Sequence, residues 1–383
     1  MLVTLRDVLA TADRYGYAQG AFNVNAVAQI KSVIDVHAQL RSPAIIQGAN
    51  LANGFMGGRI DFQNCTLEEK RKGAKNIADA VKKYAAEVDI PIVLHLDHGN
   101  DFDACVAAID GGYTSVMIDG SSHSYKDNLE LTREVVKYAH ARGVSVEGEL
   151  GVIAGVEDDV FSDKSTYTHP LQAIDFFKKT GVDALAISYG TTHGPNKGKN
   201  TKIRKEIPIA IKECMRHEGI EGFLVSHGSS TVPSYIVDDI NHLGGTISDA
   251  NGIDVKQLID VARVGINKIN VDTDIRIATT RNIRELFAKK PDLQDSPAIG
   301  EIFKLLKEHP EVSDPRAFLH PIMETLMYGH VPSDDVAAIV HAMEMAVKEV
   351  VGTLIVQFGS VGKANQVTQR SLEEMADWYK SQE

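Results

Sequence analysis

A closed (β/α)8 barrel is the fold this sequence predicts, and three observations predict it. Short apolar runs alternate with amphipathic helical segments from residue 20 to about residue 290, the rhythm of βα units that feed a parallel sheet. Eight such runs can be counted, the number that closes a barrel. The C-terminal end of nearly every run carries polar or ionisable side chains, and that is the face on which such barrels assemble their sites from several strands at once.

Taken in order, the first run, residues 20–25, delivers Asn23 and Asn25, and residues 44–47 form the second. Residues 91–97 end on Asp97 with His98 next, residues 115–119 end on Asp119, and residues 144–149 end on Glu149. Residues 184–188 lead into His193, residues 223–227 end on His227, and residues 266–272 bring Asn270 and Asp272. An open doubly wound sheet is the competing fold. It calls for a glycine-rich first turn, and Ala21-Phe-Asn-Val-Asn-Ala26 has no G-x-G-x-x-G. Ahead of the first run, residues 3–14 read as a short amphipathic helix suited to plug the lower end of the barrel. Beyond Pro291 the strand signal stops, and helices are expected over residues 298–308, 314–328 and 334–356. The chain is therefore divided into a barrel with its N-terminal capping helix, residues 1–290, and a helical extension packed on it, residues 291–383.

Composition narrows the classes. With 43% hydrophobic and 24% charged residues in a chain of 383, there is enough apolar material for one large domain or two ordinary ones. A formal charge of -12 argues against a general nucleic-acid surface, because phosphate backbones need a basic patch. Charge at Arg6 and Asp7 precedes any apolar run long enough for a signal peptide. The most apolar late stretch, residues 337–358, is broken by His341, Glu344, Lys348 and Glu349. It is expected to be a packed helix, since a membrane span needs about 20 apolar residues. Cys65, Cys105 and Cys214 stand far apart and are odd in number, which fits a reducing, cytoplasmic location rather than a disulfide framework.

Three imidazoles and several carboxylates at strand ends are the ligand and acid–base inventory of a catalytic metal site with an open position. The signal lies in the set, not in any one histidine. Asp97 and His98 are adjacent, so a regular strand would send them to opposite faces; a turn at Gly99 would let Asp97 face inward while His98 bends over the mouth. His95 shares parity with Asp97 and is read as filling a lower layer of the barrel. Gly190-Thr-Thr-His-Gly194 and Ser226-His-Gly-Ser-Ser230 each place His-Gly directly after a β run. Glycine there lets backbone amides approach a ligand, and Ser230 can donate to a phosphate oxygen. Lys268 is the one candidate for a Schiff-base nucleophile, but it lies two residues deeper than Asn270 and is read as a buried structural lysine. Glu157 follows Glu149 in a long loop running to about Thr168, of the length that active-site lids have.

Seven ordered motifs then carry a resemblance. Leu96-Asp-His98, Val116-Met-Ile-Asp119, Glu147-Gly-Glu-Leu-Gly151 with Glu157-Asp158, Gly190-Thr-Thr-His-Gly194, Ser226-His-Gly-Ser-Ser230, Asn270-Val-Asp-Thr-Asp274 and Asp314-Pro-Arg316 are similar to those of the class II fructose-1,6-bisphosphate aldolases, from about residue 23 to residue 365. The Asp314-Pro-Arg316 and Phe358-Gly-Ser-Val-Gly362 motifs look closest to the longer members found with carbon-fixation pathways, which also process sedoheptulose bisphosphate. The resemblance implies that His98, His193 and His227 bind zinc, with cobalt or iron as metals the same donors suit. Asp119 and Glu149 match supporting or alternative metal carboxylates.

It further implies that Asp97 takes the proton from the C4 hydroxyl and that Glu157 handles the proton at the carbon left after cleavage. Gly194, Gly228, Ser229, Ser230, Asp272 and Thr273 would surround the C1 phosphate, where a monovalent cation is also left open, and Asn270 would contact substrate hydroxyls. Arg316 would reach the other phosphate from a neighbouring subunit, at the end where Asn23 lies, which implies a homodimer or homotetramer. Ala49, Pro195-Asn196, His169 and the long stretch over residues 292–312 depart from the family pattern and leave sugar length and stereochemistry open. The competing readings are a tagatose or sedoheptulose bisphosphate aldolase, a Schiff-base enzyme using Lys268, and a non-catalytic barrel that binds sugar phosphate.

Overall fold

A computed structural model of the chain describes every residue except 158–159, 163–165, 198–200, 249 and 383. Eight parallel strands close into a barrel: β1 (Gln19–Asn23), β2 (Ala44–Ala49), β3 (Ile92–Gly99), β4 (Ser115–Ile118), β5 (Ser145–Leu150), β8 (Ala184–Ile187), β9 (Phe223–Ser226) and β10 (Ile266–Val271). Two short strands, β6 (Gly155–Glu157) and β7 (Val160–Ser162), form an antiparallel hairpin outside it. Each barrel strand is followed by helix, and β1 pairs with both β2 and β10 to close the ring. All barrel-strand residues are buried. One face of each strand packs outward on the helices, where Phe22, Ile46, Leu94, Val116, Val146, Leu185 and Ile269 join a continuous apolar core.

The opposite face turns into the barrel. Ala21, Ile45, Val93, Met117, Ala186 and Val225 meet Val3, Leu5, Val8 and Leu9 of the N-terminal segment. The helix Leu5–Tyr15, capped by Thr4 and ended by left-handed Gly16, is thus the plug expected from the sequence, and Leu5 N donates to Ser145 Oγ of β5 at 3.1 Å.

After β10 and the helix Thr273–Lys289, the chain is helical to its end. The long helix Asp334–Phe358 packs against both Thr273–Lys289 and Val27–Gln39, and its Leu354, Ile355 and Phe358 enter the main core. A second apolar cluster, built on Phe287, Ile299, Ile302, Phe318, Leu326 and Ile339, joins the later helices to the last barrel helix. The helix expected over residues 314–328 is broken into Arg316–Leu319, a 3-10 turn His320–Ile322, and Met323–Tyr328. Pro321 is the reason, because proline removes a helical N–H and crowds the preceding turn. The segment expected to be a structureless loop after Glu149 instead contains the β6–β7 hairpin; Asp158 and Asp159 lie outside the described residues. Among the described residues no helix is long and apolar enough to cross a membrane.

Candidate active site

The site begins with a local irregularity in β3. His98 has φ +49°, and the pairing of β3 with β4 slips between Leu96 and Gly99. A left-handed residue at a strand end breaks the alternation that would point Asp97 and His98 to opposite faces. Donor atoms of Asp97, His98 and His227 consequently lie within 4.8 Å of one another. Left-handed backbone costs a non-glycine residue roughly 1–2 kcal/mol, so the surrounding contacts must hold it. The break after Asp97 that strand parity requires is made at His98 itself. Gly99 is small for another reason: a Cβ there would stand 2.6 Å from the Met117 carbonyl oxygen of β4.

Two of the imidazoles are oriented by carboxylates. His98 Nδ1 donates to Asp119 Oδ2 at 3.0 Å, while Asp119 Oδ1 accepts from the Ser121 amide at 3.0 Å and hydroxyl at 2.6 Å. Burial pushes the Asp119 carboxyl up, but the His98 and Ser121 donors outweigh it and hold the group well below the usual carboxylate range. His227 Nε2 donates to Glu147 Oε1 at 2.7 Å. With those N–H groups so engaged, His98 Nε2 and His227 Nδ1 face one another at 3.0 Å. The third ring, His193, has its centroid 5.4 Å from that of His98 and 6.3 Å from that of His227.

This donor set fits a divalent cation. Nitrogen lone pairs of two neutral imidazoles pointing at one another repel unless a proton or a cation lies between them. Ligand nitrogens about 2.0–2.1 Å from a tetrahedral zinc-like ion stand roughly 3.3–3.4 Å apart, so these two, at 3.0 Å, need to part by only a few tenths of an ångström to take one. Carboxylates behind metal-bound imidazoles are a recurrent arrangement that fixes tautomer and ring orientation. Donor atoms of His98, Asp119 and Glu149 form a second group within 4.8 Å.

Asp97 is fully buried beside the imidazoles and gripped at both oxygens. Asn270 Nδ2 donates to Oδ1 at 2.9 Å and Asn23 Nδ2 to Oδ2 at 3.0 Å; Gln47 Nε2 in turn donates to Asn23 Oδ1. Ala49 is the register partner of Asp97 across β2 and β3, so this departure from the family pattern lies at the site itself.

The two His-Gly turns meet beside a helix N-terminus. Gly194 and Gly228 are left-handed, with φ +79° and +60°, and a Cβ on Gly228 would stand 2.7 Å from the Thr192 carbonyl. Ser229 Oγ is 2.6 Å from Ser226 Oγ. Ser230 Oγ accepts from the Thr273 amide at 3.2 Å and the Asp272 amide at 3.4 Å, where the helix Thr273–Lys289 starts. Asp274 steadies this turn from behind: it accepts from the amides of Thr231 at 2.9 Å and Val232 at 2.6 Å, and Val232 has φ +42°. A helix N-terminus lined by glycine amides and hydroxyls is an anion site.

Glu157 ends β6, whose entry residue Ala154 accepts from the His193 amide at 2.8 Å; the hairpin is thus laid along the His193 turn. Arg316 is buried within its own chain, its guanidinium donating to Asp314 at 2.7 Å and lying 4.1 Å from the centre of the Phe62 ring. Arg276 links Asp314 to Asp272, at 3.0 and 2.8 Å, and so ties the phosphate-type turn to the helical extension.

Sequence reasoning passed over Glu147, Gln47 and Arg276. Glu147 had a signal: it shares strand parity with Glu149, and Lys268 is the basic residue at matching depth. The two form a fully buried ion pair at 2.8 Å, so Lys268 is the structural lysine the sequence suggested. Burial pushes the Glu147 carboxyl up, yet Lys268, His227 and His95 together hold it well below the usual range. His95 Nδ1 is 2.9 Å from Ser115 Oγ in the lower layer, as its parity indicated. At the other end of the barrel a cavity of about 920 Å³ is lined by Arg14, Arg216 and Arg263 among others. These three end helices, where cations offset the helix dipole.

Known proteins share this architecture. A chain from Giardia intestinalis named fructose-bisphosphate aldolase is 37% identical over 99% of both chains. One of the same name from Treponema pallidum is 42% identical over 79% of this chain and 93% of its own. The solved structure of the YdjI aldolase from Escherichia coli K12 superposes with a TM-score of 0.63 at 25% identity, over 95% of this chain and all of the other. The family model described as fructose-bisphosphate aldolase class-II matches residues 3–363, and with those relatives it shows that the chain belongs to the class II fructose-bisphosphate aldolases, a metal-dependent family of lyases.

Proposed function

We propose that this chain reversibly cleaves fructose 1,6-bisphosphate to dihydroxyacetone phosphate and glyceraldehyde 3-phosphate, with zinc held by His98, His193 and His227. The observation that carries this reading is the 3.0 Å approach of His98 Nε2 to His227 Nδ1, each ring oriented by a carboxylate, beside a carboxylate gripped by two asparagines. A divalent cation there supplies the electron sink that breaking a carbon–carbon bond requires. Asp97 accepts the proton of the C4 hydroxyl, positioned by Asn23 and Asn270. Glu157 moves the proton at the carbon released by cleavage. Asp119 and Glu149 support the metal ligands.

The amides and hydroxyls of Gly194, Gly228, Ser229, Ser230 and Thr273 hold the C1 phosphate, with Asp272 and a monovalent cation beside them. The second phosphate is assigned to Arg316 and Asn23 in a cytoplasmic homodimer or homotetramer, Arg316 being supplied by the neighbouring subunit once its guanidinium leaves Asp314 and Phe62, and the helical extension, residues 291–383, forming part of that contact. Cleavage assays on fructose, tagatose and sedoheptulose bisphosphates test the assignment. Preference for fructose 1,6-bisphosphate is expected; a strong preference for tagatose would overturn the choice of sugar.

A further inference from the structure

Beneath the three histidines lies a buried charge pair that the reaction itself does not use. Glu147, on the inward face of β5, and Lys268, on the inward face of β10, are both fully buried, and Lys268 Nζ donates to Glu147 Oε2 at 2.8 Å. His95 Nε2 lies 3.4 Å from the same oxygen. A buried ion pair is a poor source of stability, since apolar residues of the same volume serve a core as well or better. What distinguishes this pair is its other oxygen. Glu147 Oε1 accepts from His227 Nε2 at 2.7 Å.

That contact decides where the proton on His227 sits. A neutral imidazole has one N–H and one lone pair. Were the proton on Nδ1, the Nε2 lone pair would face a carboxylate oxygen at hydrogen-bond distance, acceptor against acceptor. Glu147 therefore selects the tautomer with Nε2–H, and His227 Nδ1 presents its lone pair towards His98 Nε2, 3.0 Å away. Lys268 holds the carboxylate from the far side, so it can neither rotate away nor stand as an uncompensated buried charge. On the other ring, Asp119 makes the same selection at His98.

We propose that Glu147, clamped by Lys268, is a positioning residue that fixes His227 in its ligating tautomer and so sets the affinity of the site for a divalent cation. This rests on the reading of His98, His193 and His227 as ligands. Glutamine in place of Glu147 keeps the shape but can turn its amide N–H towards His227, which selects the wrong tautomer. Removing a carboxylate behind a metal-bound histidine typically weakens metal affinity about 10–100-fold.

The experiment is titration of chelator-stripped, full-length protein with Co2+, read by calorimetry and by the visible spectrum of the bound ion, with the melting temperature of each stripped protein measured alongside. Glu147→Gln is expected to bind Co2+ about 10–100-fold more weakly and with an altered spectrum, and its stripped form, in which the buried Lys268 ammonium is stranded, is expected to melt below wild type. Glu147→Asp is expected to recover part of the affinity. The double variant Glu147→Gln/Lys268→Met, which leaves no lone buried charge, is expected to bind as weakly as Glu147→Gln alone while its stripped form melts close to wild type. Wild-type affinity and spectrum in Glu147→Gln, with binding lost in His227→Ala, would overturn the positioning role and leave the histidine site standing. Unchanged binding in His227→Ala would overturn the histidine site and this inference with it.

Discussion

Asn270 holds Asp97 from one side as Asn23 holds it from the other, through hydrogen bonds of 2.9 and 3.0 Å to separate carboxylate oxygens. A carboxylate gripped at both oxygens cannot rotate, so a hydroxyl that is to give it a proton must arrive along the remaining lone pairs. A positioned general base contributes about 10²–10⁴ in rate. Asp97→Ala is expected to lose nearly all turnover, and Asn270→Ala to lower kcat by about 100-fold or more, both with metal content unchanged. Steady-state kinetics with elemental analysis on the same preparations checks this; a normal kcat in Asp97→Ala would remove it as the base.

The Gly228 turn leaves no room for a side chain. Its φ of +60° is unfavourable for an L-residue and an added Cβ would crowd Thr192, which moves the amides assigned to phosphate. Gly228→Ala is expected to raise KM for the bisphosphate more than it lowers kcat and to cost about 1–3 kcal/mol of stability, measurable by denaturant unfolding and initial-rate kinetics.

Asp274 acts behind that turn, not in it. It receives two amides and the Thr231 hydroxyl and sits fully buried next to a valine in left-handed backbone. Asp274→Ala orphans those donors at about 1–3 kcal/mol each. A loss of stability larger than that of Gly228→Ala is expected in urea unfolding, with a comparatively small effect on kcat.

Asp183 pins the last helix to the base of the barrel. Its carboxylate accepts from Arg6 at 3.1 Å, His140 at 2.9 Å, the Val146 amide at 2.8 Å and the Tyr379 hydroxyl at 2.9 Å. Burial raises its pKa, but His140, Arg6 and the amide outweigh burial and the net shift is downward. A depressed carboxylate adds stability above its ordinary pKa, and that stability is lost as pH falls through the folded value. Asp183→Asn is expected to cost about 3 kcal/mol at neutral pH, with the gap to wild type narrowing below about pH 4. Unfolding curves at neutral and acid pH decide it; a gap that stays constant with pH would contradict the charge-based account.

Much of this was legible in the sequence because barrels advertise themselves twice. Apolar runs mark the strands, and polar residues such as Asp119 and His227 mark the ends that face the mouth. The β6–β7 hairpin was hidden because its strands are three residues long, too short for a period to show. Strand parity required a break after Asp97 that puts His98 out of alternation, and the left-handed backbone of His98 is that break. Glu147 was readable as a strand residue but not as the partner of His227, because pairing across a barrel depends on register that no single strand reveals. Pro321, by contrast, was a plain stop signal inside the helix expected over residues 314–328.

Carbon–carbon cleavage is proposed to depend on a cation held by His98, His193 and His227 and not on an amine at Lys268. Fructose 1,6-bisphosphate cleavage should be followed in protein stripped with chelator and then titrated with zinc. Loss of activity on stripping and full recovery at one zinc per chain is the expected result. Activity that survives the chelator, together with borohydride trapping of substrate on Lys268, would contradict it.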